Sequence, residues 1–322
     1  MRVAVVGAGW AGSAHAEAYA AMEGVEIAAI VGKSEARAKA LAAKTKTTAT
    51  TDLAAVLRDE TVDAVDVCVP SGLHRQVAVP ALDEGKHVFL ETPMALTLAD
   101  AEAMLAAAER NGRTLAVGQV MKFLVPYQMI HGAASSGILG PLRLAIGARL
   151  SAPYWKPESP RDFALYGEPM LELMIFEYEV FHWFLGVPRR ITATARRSDA
   201  GVPVHAFVSL EYDGAVGMVE GSAAMPRSHP FTTYLWVQGE EGAMETRGQF
   251  TGGDIPETTF RRYPRDGKAE DLPFEGQDPY AAECLHFVRC VEGRADPSPI
   301  SGESAREALR VALAARDAAL VE

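Results

Sequence analysis

The first twelve residues constrain the fold more than any other stretch. Val3-Ala4-Val5-Val6 is a short run of β-formers that stops at Gly7, and a helical pattern opens directly behind it. Gly7, Gly9 and Gly12 fill the three positions of G-x-G-x-x-G. Each position has its own physical task. The first glycine turns sharply out of the strand, the second lets backbone approach a pyrophosphate, and the third lets the helix pack on the strand. The pyrophosphate would then rest on the helix start, where the N–H groups of Trp10 and Ala11 lack helical partners and the helix dipole favours an anion. The bland alternative is a glycine-rich turn with no ligand. Placement between a strand and a helix, at the start of an alternating pattern, weighs against it.

The length of 322 residues suggests two domains. A formal net charge of −11 and the lack of a basic stripe argue against general nucleic-acid binding. There are three cysteines, Cys68, Cys284 and Cys290, and no C-x-x-C pattern. They read as small buried hydrophobes rather than as a disulfide framework or a metal site. No signal-like segment precedes the first strand and no apolar run is long enough for a membrane span, so the expected compartment is the cytoplasm.

Strand and helix patterns alternate as far as about residue 120. Val25–Val31, a short piece in the threonine-rich stretch 45–51, Val62–Val69, His87–Leu90 and Leu115–Gly118 read as strands, with helices between them. Asp52 suits an N-cap, and Gly85 and Asn111-Gly112 suit helix stops. This spacing predicts a doubly wound parallel sheet, an α/β Rossmann domain over residues 1–121. The pattern then changes. A helix over 123–135, a strand over 142–150, a proline-rich loop over 153–169 and a helix over 170–185 lead into strands at 191–196, 204–212, 215–222, 234–238 and 243–246. Asp213-Gly214 is a strong turn signal between two of these. Helices over 280–292 and 304–320 close the chain. Residues 122–322 therefore read as an α+β domain with an open, mostly antiparallel sheet.

On these features the chain resembles the Gfo/Idh/MocA oxidoreductases, two-domain nicotinamide-dependent enzymes that act mostly on sugars and cyclitols. The resemblance rests on the glycine motif and on Val69-Pro70-Ser71-Gly72-Leu73-His74, similar to the family's T-P-N-x-x-H loop. Glu91-Thr92-Pro93 stands at the place of the family's E-K-P. Gly137–Gly140, Trp183–Gly186 and the spacing of Phe287, Gly293 and Pro297 add to it. The resemblance implies that Pro70, Ser71, His74, Glu91, Thr92 and Pro93 border the cofactor, with His74 near the nicotinamide ribose. It also implies a homo-oligomer, a dimer or tetramer built on the open sheet faces.

The departures fall on the proton-handling positions. Thr92 replaces the family's lysine. Glu172 and Phe176 occupy the places of its D-x-x-x-H pair. Neither Thr92 nor Phe176 can take over the acid–base task. Candidate replacements are Lys122, Glu172 and Tyr154, with Glu91, Lys156, Glu177, Tyr178 and His182 as further titratable neighbours. For Lys122 the alternative is a salt bridge at the domain junction. For Glu172 it is a helix carboxylate paired with a nearby cation, and for the Tyr154 loop it is plain surface covering.

The end of the second strand bears on cofactor choice. A carboxylate about 20 residues past the glycines would bind a ribose 2′-hydroxyl. Here the chain reads Gly32-Lys33-Ser34, with Arg37 one turn on. Two cations and a hydroxyl suit a 2′-phosphate, so NADP is expected, with Glu35 keeping NAD open. The reading is an NADP-dependent oxidoreductase of a sugar-like or other polar carbonyl, hydroxyl or imine substrate with a non-standard proton donor. The alternatives are a non-catalytic NAD(P)-binding sensor or regulatory protein and a redox-neutral enzyme with tightly held nicotinamide.

Overall fold

The computed structural model describes residues 1–154, 162–251 and 256–320. The chain divides into two compact units, Met1–Phe123 with Asp278–Arg306, and Leu124–Gln277 with Glu307–Glu322. The second partner of each unit is supplied by the C-terminal segment, which returns to the first unit before it ends in the second.

The first unit runs β1 (Arg2–Val6), α1 (Trp10–Ala20), β2 (Glu26–Val31), α2 (Glu35–Thr45), β3 (Ala49–Thr50), α3 (Leu53–Arg58), β4 (Ala64–Val67), α4 (His74–Asp83), β5 (His87–Leu90), α5 (Leu98–Asn111) and β6 (Leu115–Val117). All pairs are parallel, in the order β3-β2-β1-β4-β5-β6. Strand order reverses between β1 and β4, and such a switch point opens a crevice at the carboxyl ends of the strands. The strands are near-continuously apolar because helices cover both faces. Asp66 is the exception, a carboxylate buried in the middle of β4. The helix ends follow local chemistry. Asp52 accepts from Ala55 N at 2.9 Å, Thr97 caps α5 through Asp100 N, and Gly112 takes a left-handed C-cap at φ 60°.

The second unit contains α6 (Val125–Ser135), β7 (Leu142–Leu150), α7 (Phe163–Tyr166), α8 (Pro169–Leu185), β8 (Arg190–Arg197), β9 (Pro203–Glu211), β10 (Val216–Ser222), β11 (Phe231–Gly239), β12 (Gly242–Phe250), β13 (Glu257–Pro264) and β14 (Glu270–Asp271). Its eight strands lie in the order β14-β13-β12-β11-β7-β10-β9-β8. Only β7 and β10, at the centre, run parallel. β9 and β10 form the hairpin that Asp213-Gly214 announces, with Gly214 at φ 77°.

One face of this sheet is lined with Gly147, Gly217 and Gly221, which lets α8 sit close. A Cβ on Gly221 would stand 2.3 Å from Met174 Cγ, and one on Gly217 would stand 2.9 Å from the Phe181 ring. The opposite face leaves Phe207 51 %, Val216 40 % and Met218 37 % exposed. β13 and β14 have no counterpart in the sequence reading. β14 is the edge strand and β13 its neighbour, and Arg261 and Arg262 pair with Asp271 and Glu270 across them, so charge hides their alternation.

The chain closes with α9 (Pro279–Val291) and α10 (Gly302–Leu320). Cys284, Phe287 and Val288 of α9 join the core under β1 and β5, and Phe287 stacks on Phe89 with ring centroids 5.0 Å apart. Among the described residues, no helix is long and apolar enough to cross a membrane.

Candidate active site

The three glycines of the first turn occupy three different environments. Gly7 sits at φ 123°, and a Cβ there would stand 2.3 Å from Cys68 O. A Cβ on Gly12 would stand 2.0 Å from Gly7 O. Both glycines are therefore required by the packing of strand, turn and helix. Gly9 differs, because a Cβ on it would meet nothing within 4 Å and its backbone is extended. The packing of the protein therefore does not itself require a glycine at position 9. That is the fit expected of a seat for a dinucleotide pyrophosphate, set against a helix whose N-cap offers no side-chain acceptor. Trp10 lies 71 % exposed at the same end, edge-on to Tyr280 at 5.1 Å.

Lys33, Ser34 and Arg37 follow the end of β2. Lys33 and Arg37 are exposed, and neither has a carboxylate partner among the described residues. Glu35 instead reaches along α2 to Lys39, Oε1 to Nζ 2.6 Å.

The loop after β4 and the loop after β5 are tied together by His74. It is fully buried, with Nδ1 3.1 Å from Met94 O and Nε2 2.9 Å from Val69 O. The ring thus bridges two backbone carbonyls, one of which accepts its N–H, and this fixes the Pro70–Ser71 turn relative to Thr92–Pro93, whose peptide bond is cis. Glu91 turns its carboxylate inward. Oε1 lies 3.2 Å from His15 Nε2, and Oε2 accepts from Thr92 N at 3.1 Å. Lys122 is 3 % exposed; its Nζ donates to Pro299 O at 3.1 Å and Ser304 Oγ at 3.3 Å, so it anchors the start of α10.

In the second unit, Tyr154 and Glu172 come together: the tyrosine hydroxyl donates to Glu172 Oε2 at 3.1 Å. Lys156 lies outside the described residues. Glu177 and Tyr178 point into the core, while His182 is half-buried.

Phe176 lies on a residue that sequence reasoning missed. The Arg149 guanidinium carbon is 4.2 Å from the Phe176 ring centroid, and Arg149 Nε donates to both oxygens of Glu177 at 3.0 and 3.2 Å. Burial pushes the Glu177 carboxyl up, and the Arg149 charge partly offsets this. The alternation of β7 put Arg149 on the buried face, but a lone arginine in a strand carries no signal that it pairs with α8.

Residues 1–119 match the oxidoreductase family with an NAD-binding Rossmann fold, the Gfo/Idh/MocA family. The first unit of the chain thus matches this family's Rossmann domain. D-xylose 1-dehydrogenase (NADP+) 2 of Haloferax volcanii is 29 % identical over 83 % of this chain and 82 % of its own. A scyllo-inositol 2-dehydrogenase (NADP+) of Bacillus subtilis is 27 % identical over 91 % of this chain and 88 % of its own. Among solved structures, an aldose-aldose oxidoreductase of Caulobacter crescentus superimposes with a TM-score of 0.87 at 22 % identity, covering 99 % of this chain and 97 % of that one. With relatives that are named dehydrogenases along most of its length, the chain is accordingly an NAD(P)-dependent oxidoreductase.

Proposed function

We propose that this oxidoreductase uses NADP and acts on a hydroxyl or carbonyl of a sugar-like polar molecule. The observation that carries the cofactor choice is the end of β2, where Lys33 and Arg37 stand without acidic partners while Glu35 is engaged by Lys39. When bound, the nicotinamide supplies hydride acceptance and donation. The protein's residues hold it, with the pyrophosphate on the α1 start and the 2′-phosphate against Lys33, Ser34 and Arg37. Pro70, Ser71, His74, Glu91, Thr92 and Pro93 border it on the other side. The NADP-linked relatives support the same reading.

The test is a double change, Lys33→Ala with Arg37→Ala. Removing two charge-assisted contacts of the kind worth about 1.5–3 kcal/mol each weakens NADPH binding by at least tenfold and leaves NADH binding within a factor of about two. Equal losses for both cofactors overturn the assignment.

For the proton, the reading favours the Tyr154–Glu172 pair over Lys122, whose ammonium is held by the α10 start. Tyr154 supplies an O–H that can pass its proton to a substrate oxygen, and the Glu172 carboxylate it contacts orients that hydroxyl.

The protein is further read as a homo-oligomer through the sheet face bearing Phe207, Val216 and Met218. Apolar side chains grouped on one open sheet face favour a second copy over water. Phe207→Glu with Met218→Glu should shift sedimentation to the monomer without unfolding the chain. An unchanged sedimentation coefficient would place the contact elsewhere.

A further inference from the structure

Behind the dinucleotide seat, α1, β4, the loop after β5 and α9 bring a set of ionisable groups into one buried space. His15 Nδ1 lies 2.9 Å from Asp66 Oδ2. On the other side of the ring, Nε2 lies 3.2 Å from Glu91 Oε1 and 3.6 Å from Glu283 Oε1. His15, Asp66 and Glu283 have no exposed side-chain surface beyond 1 %, whereas Glu91 retains 18 %. Neither oxygen of Glu283 has a hydrogen-bond partner among the described residues. Gly118 gives that carboxylate its room, since a Cβ there would stand 3.3 Å from Glu283 Oε2.

Every element packed around His15 contributes to the charge balance. Tyr19 of α1, Cys68 after β4 and Cys284 of α9 are neutral, because burial pushes each of them up. The Phe89 ring stacks on His15 at 5.5 Å, and the Tyr280 ring lies 6.0 Å away. This leaves three carboxyls around one imidazole. Burial is the largest single influence and works against the imidazole cation, but the neighbouring groups together, Asp66 first among them, hold His15 well above its ordinary value. One imidazolium balances only one carboxylate of the three, and each further anion in the same space is costly. Burial pushes the Glu283 carboxyl up to about 8. His15, Asp66 and Cys284 also place donor atoms within 4.8 Å of one another, but a metal there would need the Cys284 thiolate, which burial opposes.

We propose that His15, Asp66, Glu91 and Glu283 form a proton store behind the cofactor seat, reached through Glu91, whose proton count rises when the dinucleotide binds. The inference rests on the cofactor reading above. Its physical basis is the position of His15 on α1, six residues beyond Gly9. That is about 9 Å along the helix axis. An added negative charge on the order of 10 Å from the set, which includes Glu283 beside His15, strengthens its hold on a proton on the order of tenfold. At pH 8, where Glu283 is near half-protonated, the store then takes up about 0.4 proton. Glu91 is the positioning and entry residue, because it alone of the four joins the buried set to the surface.

The experiment is calorimetry of NADPH binding at pH 8 in two buffers of different ionisation enthalpy, which reads protons taken up per cofactor bound. Wild-type protein should take up about 0.4 proton, and Glu283→Gln should lose that uptake while still binding NADPH. Saturable binding with no uptake, or uptake unchanged in Glu283→Gln, overturns the proposal. A second measurement needs no cofactor. A carboxyl whose folded value is raised contributes stability fully below its ordinary value near 4.5, and loses it as pH rises through about 8. Wild-type protein should therefore lose more stability between pH 5 and pH 9 than Glu283→Gln does. Equal losses dispose of the store. Absence of any NADPH binding, with the stability difference present, would instead bring down the cofactor reading and the link to binding with it.

Discussion

Gly9→Val should fold like the wild-type chain yet bind NADPH about a hundredfold more weakly, while Gly12→Ala should be destabilised by about 3 kcal/mol. The two changes add small side chains three residues apart, and the structure separates their effects. At Gly12 the new methyl would stand 2.0 Å from the carbonyl oxygen of Gly7, a backbone atom that cannot rotate away. Relief requires α1 to move off β1 against the fully buried core residues Val3, Val5, Ala16 and Tyr19. Gly7 offers no escape, because its own φ of 123° and contact with Cys68 O hold the turn in place. At Gly9 no heavy atom lies within 4 Å of a Cβ, and the backbone, at φ −88° and ψ −164°, suits any residue. A valine there costs the fold little and fills space that the cofactor needs. Thermal unfolding and fluorescence titration with NADPH read the two effects separately. Wild-type affinity in Gly9→Val would mean that the pyrophosphate does not use the α1 start.

Glu177→Ala should cost about 3–5 kcal/mol, because it leaves the Arg149 guanidinium buried without its anion. Arg149 and Glu177 have side chains only 6 % and 5 % exposed, and Phe176 covers the guanidinium face at 4.2 Å. Since burial outweighs Arg149 in setting the Glu177 carboxyl, the pair as a whole adds little net stability. The double change Arg149→Met with Glu177→Leu should therefore return to within about 1 kcal/mol of wild type. Denaturant unfolding of Arg149→Met, Glu177→Leu and the double closes the cycle, with Glu177→Ala measured beside it. A double variant as unstable as Glu177→Ala would show that the ion pair itself, rather than its desolvation, holds β7 to α8.

Much of the site was legible from local pattern. The strand–glycine–helix start, the Asp52 cap and the Asp213-Gly214 hairpin are decided by residues close in sequence, through backbone sterics and short-range hydrogen bonds. Pairings across long separations were not. His15 reads as a polar residue on an alanine-rich helix, Asp66 as a polar interruption of a buried strand, and Glu283 as a helix carboxylate near the C-terminus. Nothing in their spacing places them around one imidazole. Arg149 and Glu177 likewise read as a strand residue and a helix residue. Lys122 was weighed as a substrate contact, and the start of α10, almost two hundred residues away, holds its ammonium.

The sequence by itself determined the doubly wound first sheet, the strand–glycine–helix turn that opens it and the absence of a carboxylate directly at the end of β2. These depend on periodicity, on missing side chains and on charges near one another in the chain. Only the tertiary structure decided that α9 returns to cover β1 and β5, that Tyr154 donates to Glu172 and that Glu91 turns inward to His15. The physical reason is that burial and pairing of polar groups are set by which surfaces meet. A carboxylate carries the same symbol in the sequence whether water or an imidazole faces it.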